Sequence, residues 1–146
     1  MNYDIPFVPS SDEKIQIILE MASVYPDIKT VDLGSGNGKV VIAFAKAGAE
    51  AYGFEIDPGR VRVSRNLIKQ EGVSNRAHIY EGSFWDADIG TYDVITVFGI
   101  TAVMQRLEEK LKREMKPKAI VLSNLFPFPS WVPLNRRNNV YEYMKL

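Results

Sequence analysis

The chain has 146 residues and a mass of 16.5 kDa, which is the usual size of one domain and leaves little room for a second. Apolar residues make up 46% of the sequence and charged residues 25%, so a hydrophobic core can form and wholesale disorder is excluded. Lys plus Arg and Asp plus Glu both number 18, and the resulting zero net charge gives no general attraction to nucleic acid or acidic membranes. We expect one domain over residues 1–146, with an arm and a helix in residues 1–28 and the core in residues 29–146.

The cysteine and histidine content excludes several kinds of site. The absence of cysteine excludes disulfides, thiolate metal ligands and a cysteine nucleophile, and it fits a reducing compartment. The single histidine, His78, cannot form a multi-histidine metal site, and its alternating neighbours predict an ordinary strand position, so we expect no metal. No signal pattern opens the chain, and no apolar run approaches the about 20 residues that cross a bilayer. We therefore expect a cytoplasmic protein without a membrane span.

The first predicted elements are a helix, a strand, a glycine-rich loop and a second helix. Ser10 and Glu13 are spaced as a capping-box pair before the first helix, and Pro26 follows its end. Thr30, Val31 and Leu33 are β-branched or apolar, and residues 30–33 predict a strand. The glycine-rich residues 34–38 separate this strand from a helix over residues 40–46.

The same unit then repeats. Residues 51–56 predict a second strand, and Asp57 with Pro58 predicts an N-cap and a first helical turn, for a helix that runs to about Glu71. Strands at residues 77–81, 92–98 and 119–125, a helix over residues 101–115 and a last strand at residues 139–145 complete the pattern. Strands that alternate with helices favour a doubly wound α/β fold with a mostly parallel sheet covered on both faces. The last strand follows no helix, and we expect it to lie antiparallel beside the fifth.

The helix over residues 101–115 combines an apolar stripe with many charges. Met104, Leu107, Leu111 and Met115 recur at helical spacing and predict the buried face. A solvated face accounts for the remaining side chains better than a nucleic-acid interface does; these are Arg106, Glu108, Glu109, Lys110, Lys112, Arg113 and Glu114.

The loop after the first strand is the main candidate ligand site. In an open α/β sheet ligands bind at the carboxyl ends of the strands, and the glycines at positions 34, 36 and 38 can adopt positive φ angles there. A dinucleotide fingerprint requires its third glycine at position 39, where Lys39 stands, and Val40 breaks a Walker A pattern. Phosphate binding is therefore not the favoured interpretation.

Two carboxylates flank this loop. Asp32 at the tip of the first strand suits a cationic ligand, and Glu55 at the tip of the second can accept hydrogen bonds from both hydroxyls of a ribose. Ile56 is placed to pack on a base. The ligand that needs this set is S-adenosyl-L-methionine, which carries an amino group, a sulfonium, a ribose diol and an adenine. The alternative is that both carboxylates only cap loops.

The motifs resemble a known family. Residues 32–38 resemble motif I of the seven-strand S-adenosylmethionine-dependent methyltransferases, and residues 53–56 resemble the acidic motif that follows it. More narrowly, an ordered set is similar to the protein-lysine methyltransferases that modify the ATP synthase c-subunit and to their archaeal protein-lysine relatives. Besides motif I, the set comprises residues 7–10, 82–85, 98–99, 107–111 and 126–133.

The resemblance implies a Rossmann-like class I methyltransferase fold, S-adenosyl-L-methionine as cofactor, S-adenosyl-L-homocysteine as product, and a protein substrate that presents a lysine. It places the methionine part of the cofactor at motif I, the ribose at Glu55 and the adenine edge at Ser83 and Phe84, although Ser83 replaces the acidic residue common at that position. Mitochondrial members carry an extension before residues 7–10, so their membrane anchoring is not expected here. The implied cofactor-binding residues are Asp32, Gly34, Ser35, Gly36, Gly38, Glu55, Ile56, Ser83, Phe84 and Phe98.

Lysine methylation requires an unprotonated amine, and the ordinary lysine pKa of about 10.4 must be lowered by desolvation and nearby positive charge. We expect catalysis mainly by positioning in a narrow aromatic channel; the alternative is that the aromatic residues only cover a core edge. Asp86, Asp88 and Asp93 are general-base candidates by residue type alone. The predicted channel residues are Phe7, Pro9, Ser10, Gly99, Phe126, Pro127 and Trp131.

Three other functions remain open: methylation of RNA or DNA, methylation of a small molecule, and binding of the cofactor without turnover. Enzymes that methylate base amines usually carry Asn/Asp-Pro-Pro-Tyr/Phe after the fourth strand, where this chain has Phe-Gly-Ile-Thr at residues 98–101. The sequence also has no basic stripe interleaved with aromatics, so it gives no strong nucleic-acid signal.

Overall fold

The computed structural model describes residues 11–98 and 101–146, which form one seven-stranded sheet flanked by helices. The helices are α1 (Asp12–Ala22), α2 (Lys39–Lys46), α3 (Pro58–Gln70) and α4 (Thr101–Glu114). The strands are β1 (Lys29–Leu33), β2 (Glu50–Glu55), β3 (Ala77–Glu81), β4 (Val94–Val97), β5 (Ile120–Asn124), β6 (Asn135–Arg137) and β7 (Val140–Met144).

The strand order is β3-β2-β1-β4-β5-β7-β6. The first five strands of this order pair in parallel, β7 pairs antiparallel with β5, and β6 pairs antiparallel with β7. The predicted doubly wound sheet with an antiparallel C-terminal strand is thus confirmed. Because the chain leaves β1 toward β2 on one side and returns to β4 on the other, a crevice opens at the carboxyl ends of β1 and β4, where ligands bind in such sheets.

Each face of the sheet has its own hydrophobic core. On one face α1, α2 and α3 bury residues such as Ile18, Phe44 and Ile68. On the other face α4 buries Leu107 and Leu111 as the predicted stripe, together with Met104 and Met115. None of the described helices is long and apolar enough to cross a membrane.

Two charged residues of α4 contradict the predicted solvated face. Glu108 and Lys110 are buried: Glu108 accepts a hydrogen bond from the backbone of Ser130, and the Lys110 ammonium contacts the Ala87 carbonyl at 3.2 Å and Glu114 at 2.8 Å. The prediction was wrong for these two because helical spacing identifies which residues share a face, but not which loops pack over that face.

Two further details differ from the sequence prediction. The N-cap of α1 is Ser11, whose hydroxyl accepts from the Lys14 backbone N–H at 3.2 Å, so the predicted cap at Ser10 is wrong by one residue. Asn138 and Asn139 both have positive φ angles and form a hairpin turn, which adds the unpredicted strand β6. Two 3-10 turns connect β3 to β4, where the sequence predicts no helix, and Tyr80 on this side of the sheet is 47% exposed.

Candidate cofactor and acceptor site

The glycine-rich loop lies at the carboxyl end of β1, inside the crevice. Gly34, Gly36 and Gly38 have φ angles of 81°, 57° and 84°, which residues other than glycine rarely adopt. The backbone N–H groups of Gly34 and Ser35 both donate to the carbonyl of Phe54 at 2.9 Å. The loop is therefore fixed against β2 by its own hydrogen bonds.

Gly53 of β2 permits this close approach. A Cβ atom at position 53 would lie 2.6 Å from the Cβ of Ser35 and 2.7 Å from its hydroxyl, a distance that side chains do not tolerate. The Ser35 hydroxyl is buried there and has no hydrogen-bond partner among the described residues. Ser35 therefore directs its side chain toward β2, and its predicted contact with the cofactor stays a prediction.

Glu55 joins the loop to the end of β2. Its side chain is buried, with Oε1 accepting from the Gly36 N–H at 2.7 Å and Oε2 accepting from the Asp57 N–H at 2.9 Å. A carboxylate has about four acceptor positions, and these two bonds use about half of them. Glu55 thus caps loops, as the alternative interpretation held. Its Oε2 also lies 4.0 Å from the Arg60 guanidinium, and its contact with the two hydroxyls of a ribose stays a prediction.

Asp32 provides a second buried carboxyl group in the crevice. Its pKa is raised from 3.8 to about 7: burial is the main cause, a hydrogen bond from Thr96 acts in the opposite direction, and the charge of Glu55 adds to the increase. The Thr96 hydroxyl donates to Asp32 Oδ1 at 2.8 Å. Sequence reasoning missed Thr96, whose only signal is its register opposite Asp32 in the β1–β4 pair. A buried anion of this kind is stabilised by a bound cation.

The arrangement fits the predicted cofactor. A Cβ atom added to Gly34 would meet no atom within 4 Å, so open space borders the backbone directly after Asp32 and Leu33. Asp32, two residues before Gly34, favours a positively charged group, and Glu55 at the end of β2 favours hydroxyl donors. S-adenosyl-L-methionine carries both kinds of group.

The predicted adenine side lies after β3. The Ser83 hydroxyl accepts from the Trp85 N–H at 3.2 Å and caps a 3-10 turn in which Phe84 is buried. The Arg106 guanidinium lies 4.0 Å from the centre of the Trp85 ring. Ile56 is partly exposed beside Glu55. The contacts of Ser83, Phe84 and Ile56 with adenine stay predictions.

The aromatic segment, residues 126–131, lies beyond β5 at the same edge. The Phe126 ring meets the Phe98 ring edge-on, with 6.0 Å between ring centres. The Trp131 ring packs on Phe128 and Tyr143, which are buried. Phe98 and Phe126 are therefore brought together at the mouth of the crevice, whereas Trp131 also covers a core edge. Phe7, Pro9, Ser10 and Gly99 of the predicted channel lie outside the described residues, and Pro127 lies between Phe126 and Phe128.

Three side chains that sequence reasoning missed hold the aromatic segment. The Ser123 hydroxyl donates to the Phe126 carbonyl at 2.5 Å, Tyr143 accepts from the Phe128 N–H at 2.9 Å, and Glu108 accepts from the Ser130 N–H at 2.8 Å. These contacts replace the ladder hydrogen bonds that the prolines of the segment prevent. The aromatic segment is therefore held in one conformation by residues of β5, β7 and α4.

Two of the three general-base candidates have structural partners. Asp93 precedes β4 at the opposite edge of the sheet, where it accepts from the Lys29 N–H at 2.8 Å and pairs with Lys116. Asp88 accepts from the Gly90 N–H and caps a 3-10 turn. Within residues 11–98 and 101–146, no three His, Cys, Asp or Glu side chains are grouped closely enough to hold a metal ion.

Comparisons with known proteins agree with this geometry. The family model described as the ANTKMT methyltransferase domain matches residues 32–135. The chain is 37% identical over 129 residues to the ATP synthase c-subunit lysine N-methyltransferase of Xenopus laevis, a match that covers 88% of this chain and 57% of that protein. It thus spans a little over half the length of that relative.

Two other similar proteins match almost end to end. A protein-lysine N-methyltransferase of Saccharolobus islandicus (strain REY15A) is 35% identical over 150 residues, covering 96% of this chain and 93% of the archaeal protein. The crystal structure of an RNA methyltransferase from Salinibacter ruber in complex with S-adenosyl-L-homocysteine has a TM-score of 0.89 and 31% identity, and covers 94% of this chain and 93% of that one.

Proposed function

Because the chain belongs to the family of ANTKMT methyltransferase domains, we propose that it transfers methyl groups from S-adenosyl-L-methionine to the side-chain amines of protein lysines. One observation carries the methyl-transfer part: Asp32 and Glu55, both buried, flank a glycine loop with open space at Gly34. The lysine part is supported by the end-to-end similarity to the archaeal protein-lysine N-methyltransferase.

The cofactor supplies an electrophilic methyl group and departs as S-adenosyl-L-homocysteine. The protein's own part in the reaction is to bind and orient. Asp32 binds the positively charged part of the ligand, and Glu55 accepts hydrogen bonds from its hydroxyl groups. The fixed glycine loop keeps both carboxyl groups in place, so that binding needs no reorganisation. Phe98 and Phe126 exclude water and present ring surfaces that attract a cation.

A lysine amine entering this site must give up a proton before it can attack. Desolvation between aromatic rings and the positive charge held by Asp32 both lower its pKa. The carboxylates of Asp88 and Asp93 are used structurally, and in this proposal the proton leaves to solvent. Rate acceleration in this proposal comes from positioning, not from a general base.

The test is to incubate the purified protein and cell-protein extract with methyl-labelled S-adenosyl-L-methionine and to locate the label by mass spectrometry. Asp32→Ala and Glu55→Ala are compared with Glu50→Ala, which lies at the other end of β2 and is partly exposed. Label on lysine that persists in Glu50→Ala and disappears in the two site variants supports the proposal. Cofactor binding without label in any macromolecule or small molecule would instead favour a binding module.

A second candidate is methylation of RNA. It is favoured by the similarity to the structure described as an RNA methyltransferase from Salinibacter ruber. Against it stands the zero net charge, since RNA-binding proteins depend on clustered basic residues. The same labelled reaction with total RNA in place of protein separates the two, because a lysine methyltransferase leaves the RNA unlabelled.

We also propose that the protein acts in the cytoplasm. The proposal is supported by the absence of cysteine from all 146 residues, which suits a reducing compartment. Fractionation of cells that express the tagged protein from its own promoter tests this, and recovery in a membrane fraction would contradict it.

A further inference from the structure

Asn124, the last residue of β5, has an unusual environment. The residue is only 5% exposed, yet its side-chain oxygen Oδ1 has no hydrogen-bond partner among the described residues. The great majority of buried polar side-chain atoms are paired, and an unpaired one calls for an explanation. An absent ligand that donates a hydrogen bond is one such explanation.

The position of Asn124 in the sheet points to the same crevice. The β4–β5 register pairs Thr96 with Leu122 and Val97 with Ser123, so Asn124 lies beside Phe98, one residue beyond the last pair. Side chains alternate along a strand, which places Asn124 on the same face as Leu122. Thr96, on that face of β4, contacts Asp32. Asn124 therefore lies two residues nearer the carboxyl edge than Asp32, on the same face and two strands away.

The distance between β1 and β5 suits a methyl donor and a methyl acceptor that lie side by side. Neighbouring strands lie about 4.8 Å apart, so β1 and β5 are separated by about 10 Å across β4. If Asp32 and Glu55 hold the methyl donor, the carboxyl ends of β4 and β5 would be the neighbouring place for the group that receives the methyl. Phe98, two residues after Thr96, lies at this edge and meets the Phe126 ring edge-on, while Phe126 also packs against the core of the opposite face.

The backbone next to Asn124 is strained. Leu125 has a φ angle of 74°, a left-handed conformation that a bulky side chain rarely adopts outside functional sites and tight turns. It is held by the Leu125 N–H, which donates to the Asn139 carbonyl at 2.7 Å, and by the Ser123–Phe126 hydrogen bond. The turn thus fixes both Asn124 and Phe126 at the edge of the sheet.

We propose that Asn124 Oδ1 accepts a hydrogen bond from the lysine amine that receives the methyl group, an inference that rests on the proposed lysine methylation. A neutral amine has two N–H bonds and one lone pair, so holding one N–H directs the lone pair toward the methyl carbon. The nitrogen–carbon bond forms from that lone pair as the sulfur–carbon bond breaks, the bonding electrons stay on sulfur, and the new ammonium releases a proton to water.

The geometry also bears on how many methyl groups are added. A monomethylated neutral amine keeps one N–H for Asn124, and a dimethylated one keeps none. Asn124 therefore holds the unmodified lysine best and the dimethylated lysine least. It favours products with fewer methyl groups.

The experiment compares Asn124→Leu and Asn124→Asp with the wild type and with Asn75→Leu, a control in an exposed loop before β3. We expect Asn124→Leu to leave the melting temperature equal or higher, because an unpaired buried oxygen is removed, and to leave the Kd of S-adenosyl-L-homocysteine unchanged. Its kcat should fall at least tenfold, with a larger share of trimethylated product by mass spectrometry. Asn124→Asp keeps an acceptor and should restore much of the rate.

Each result bears on a different statement. Lysine labelling by the wild type with unchanged kcat and product distribution in Asn124→Leu would overturn the role of Asn124 alone. No lysine labelling by the wild type would overturn both that role and the proposed function. A lower melting temperature together with weaker cofactor binding would show that Asn124 is merely structural. Should Asn124→Leu fail to fold, Asn124→Ala supports the same comparison.

Discussion

The carboxylate of Glu55 accepts a hydrogen bond of 2.7 Å from the backbone N–H of Gly36. One buried side chain thereby closes the glycine loop and offers its remaining lone pairs to a ligand. The shape of the crevice and its capacity for hydroxyl groups consequently depend on the same residue. A substitution at Glu55 should affect stability and cofactor binding together.

Glu55→Gln tests this coupling. The amide keeps one acceptor oxygen but turns an NH₂ group toward a backbone N–H of Gly36 or Asp57, and two donors then face each other. We expect a loss of about 1–3 kcal/mol in the free energy of unfolding, because a buried donor is left without its partner. The Kd of S-adenosyl-L-homocysteine should rise about tenfold or more, since each 1.4 kcal/mol of lost interaction is a factor of ten. Urea denaturation and calorimetric titration measure the two effects.

The matched control is Glu50→Gln on the same strand. Glu50 is partly exposed and pairs with Arg76 at 3.4 Å, an ion pair of a kind that contributes about 0–1 kcal/mol. It should change neither quantity appreciably. Equal effects of the two substitutions would contradict the dual role of Glu55.

Asp32 predicts a pH dependence of cofactor binding. With a pKa of about 7 in the free protein, the carboxyl group is mostly ionised at pH 8 and mostly protonated at pH 6. If only the ionised form holds the cationic ligand, affinity for S-adenosyl-L-methionine should fall about tenfold from pH 8 to pH 6. Asp32→Asn should bind weakly with a flat profile. A flat wild-type profile between pH 6 and 8 would argue against this role.

The same pKa predicts that Asp32 lowers the stability of the free protein. The pKa is raised on folding, so between about pH 4 and 7 the native state binds more protons than the unfolded state, and stability falls as pH rises through that window. Asp32→Asn removes this cost. We expect a gain of about 4 kcal/mol at pH 8 and little change at pH 4, since folding raises the pKa from 3.8 to about 7 and each pKa unit corresponds to about 1.4 kcal/mol. Urea unfolding of the ligand-free wild type and Asp32→Asn at both pH values measures the change in the free energy of unfolding. A loss of stability in Asp32→Asn at pH 8 would contradict the prediction.

The sequence predicts those parts of the site that are encoded locally. Asp32, the three glycines and Glu55 are identified because strand tips and turn residues leave short-range patterns. Thr96 and Asn124 leave no such pattern, since their roles arise only when β4 and β5 align beside β1. Their residue types are ordinary for a buried strand.

Glu108 shows why the remaining residues could not be predicted. Helical periodicity does not decide whether Glu108 belongs to the buried or the exposed face of α4, and a charged side chain is usually exposed to solvent. It is buried because the aromatic segment folds back over α4 and supplies a backbone N–H. The packing of an irregular, proline-rich segment depends on long-range contacts that a single sequence does not reveal.

The glycine loop allows strain to be separated from ligand contact. Gly34 and Gly38 have φ angles of 81° and 84°, so alanine at either position costs about 1 kcal/mol of backbone strain. A Cβ at Gly38 would also lie 2.8 Å from the Cβ of Ser64, whereas a Cβ at Gly34 meets open space. Gly38→Ala should therefore be less stable than Gly34→Ala by about 1–3 kcal/mol, the usual cost of overpacking.

Gly34→Ala should instead weaken cofactor binding, because its new methyl group occupies the space beside Asp32. Gly72→Ala is the control: its φ angle is 72°, a Cβ there also meets no atom within 4 Å, and it lies after α3, away from the crevice. The two variants should have similar stability, with only Gly34→Ala raising the Kd of S-adenosyl-L-homocysteine. Unchanged affinity in Gly34→Ala would place the ligand elsewhere.

Glu108 should hold the aromatic segment in place by direct contact. Its carboxylate accepts from the Ser130 N–H at 2.8 Å and from Lys112 at 3.0 Å, while the Lys112 ammonium lies 5.3 Å from the centre of the Trp131 ring. Glu108→Ala leaves the Ser130 N–H unpaired and should cost about 1–3 kcal/mol of stability. Glu109→Ala, an exposed neighbour on α4, should cost much less.

The effect on the reaction should separate from the effect on the cofactor. Glu108 lies outside the Asp32–Glu55 crevice, so Glu108→Ala should leave the Kd of S-adenosyl-L-homocysteine unchanged while lowering kcat/KM for the protein substrate. Glu108→Gln keeps an acceptor for the Ser130 N–H and should recover part of kcat/KM. The measurement is the steady-state rate at which each variant transfers labelled methyl groups to the substrate protein found in the labelling experiment. It is made at a temperature where all the variants are folded. Equal kcat/KM values for Glu108→Ala and Glu109→Ala would mean that the segment covers the core without positioning the substrate.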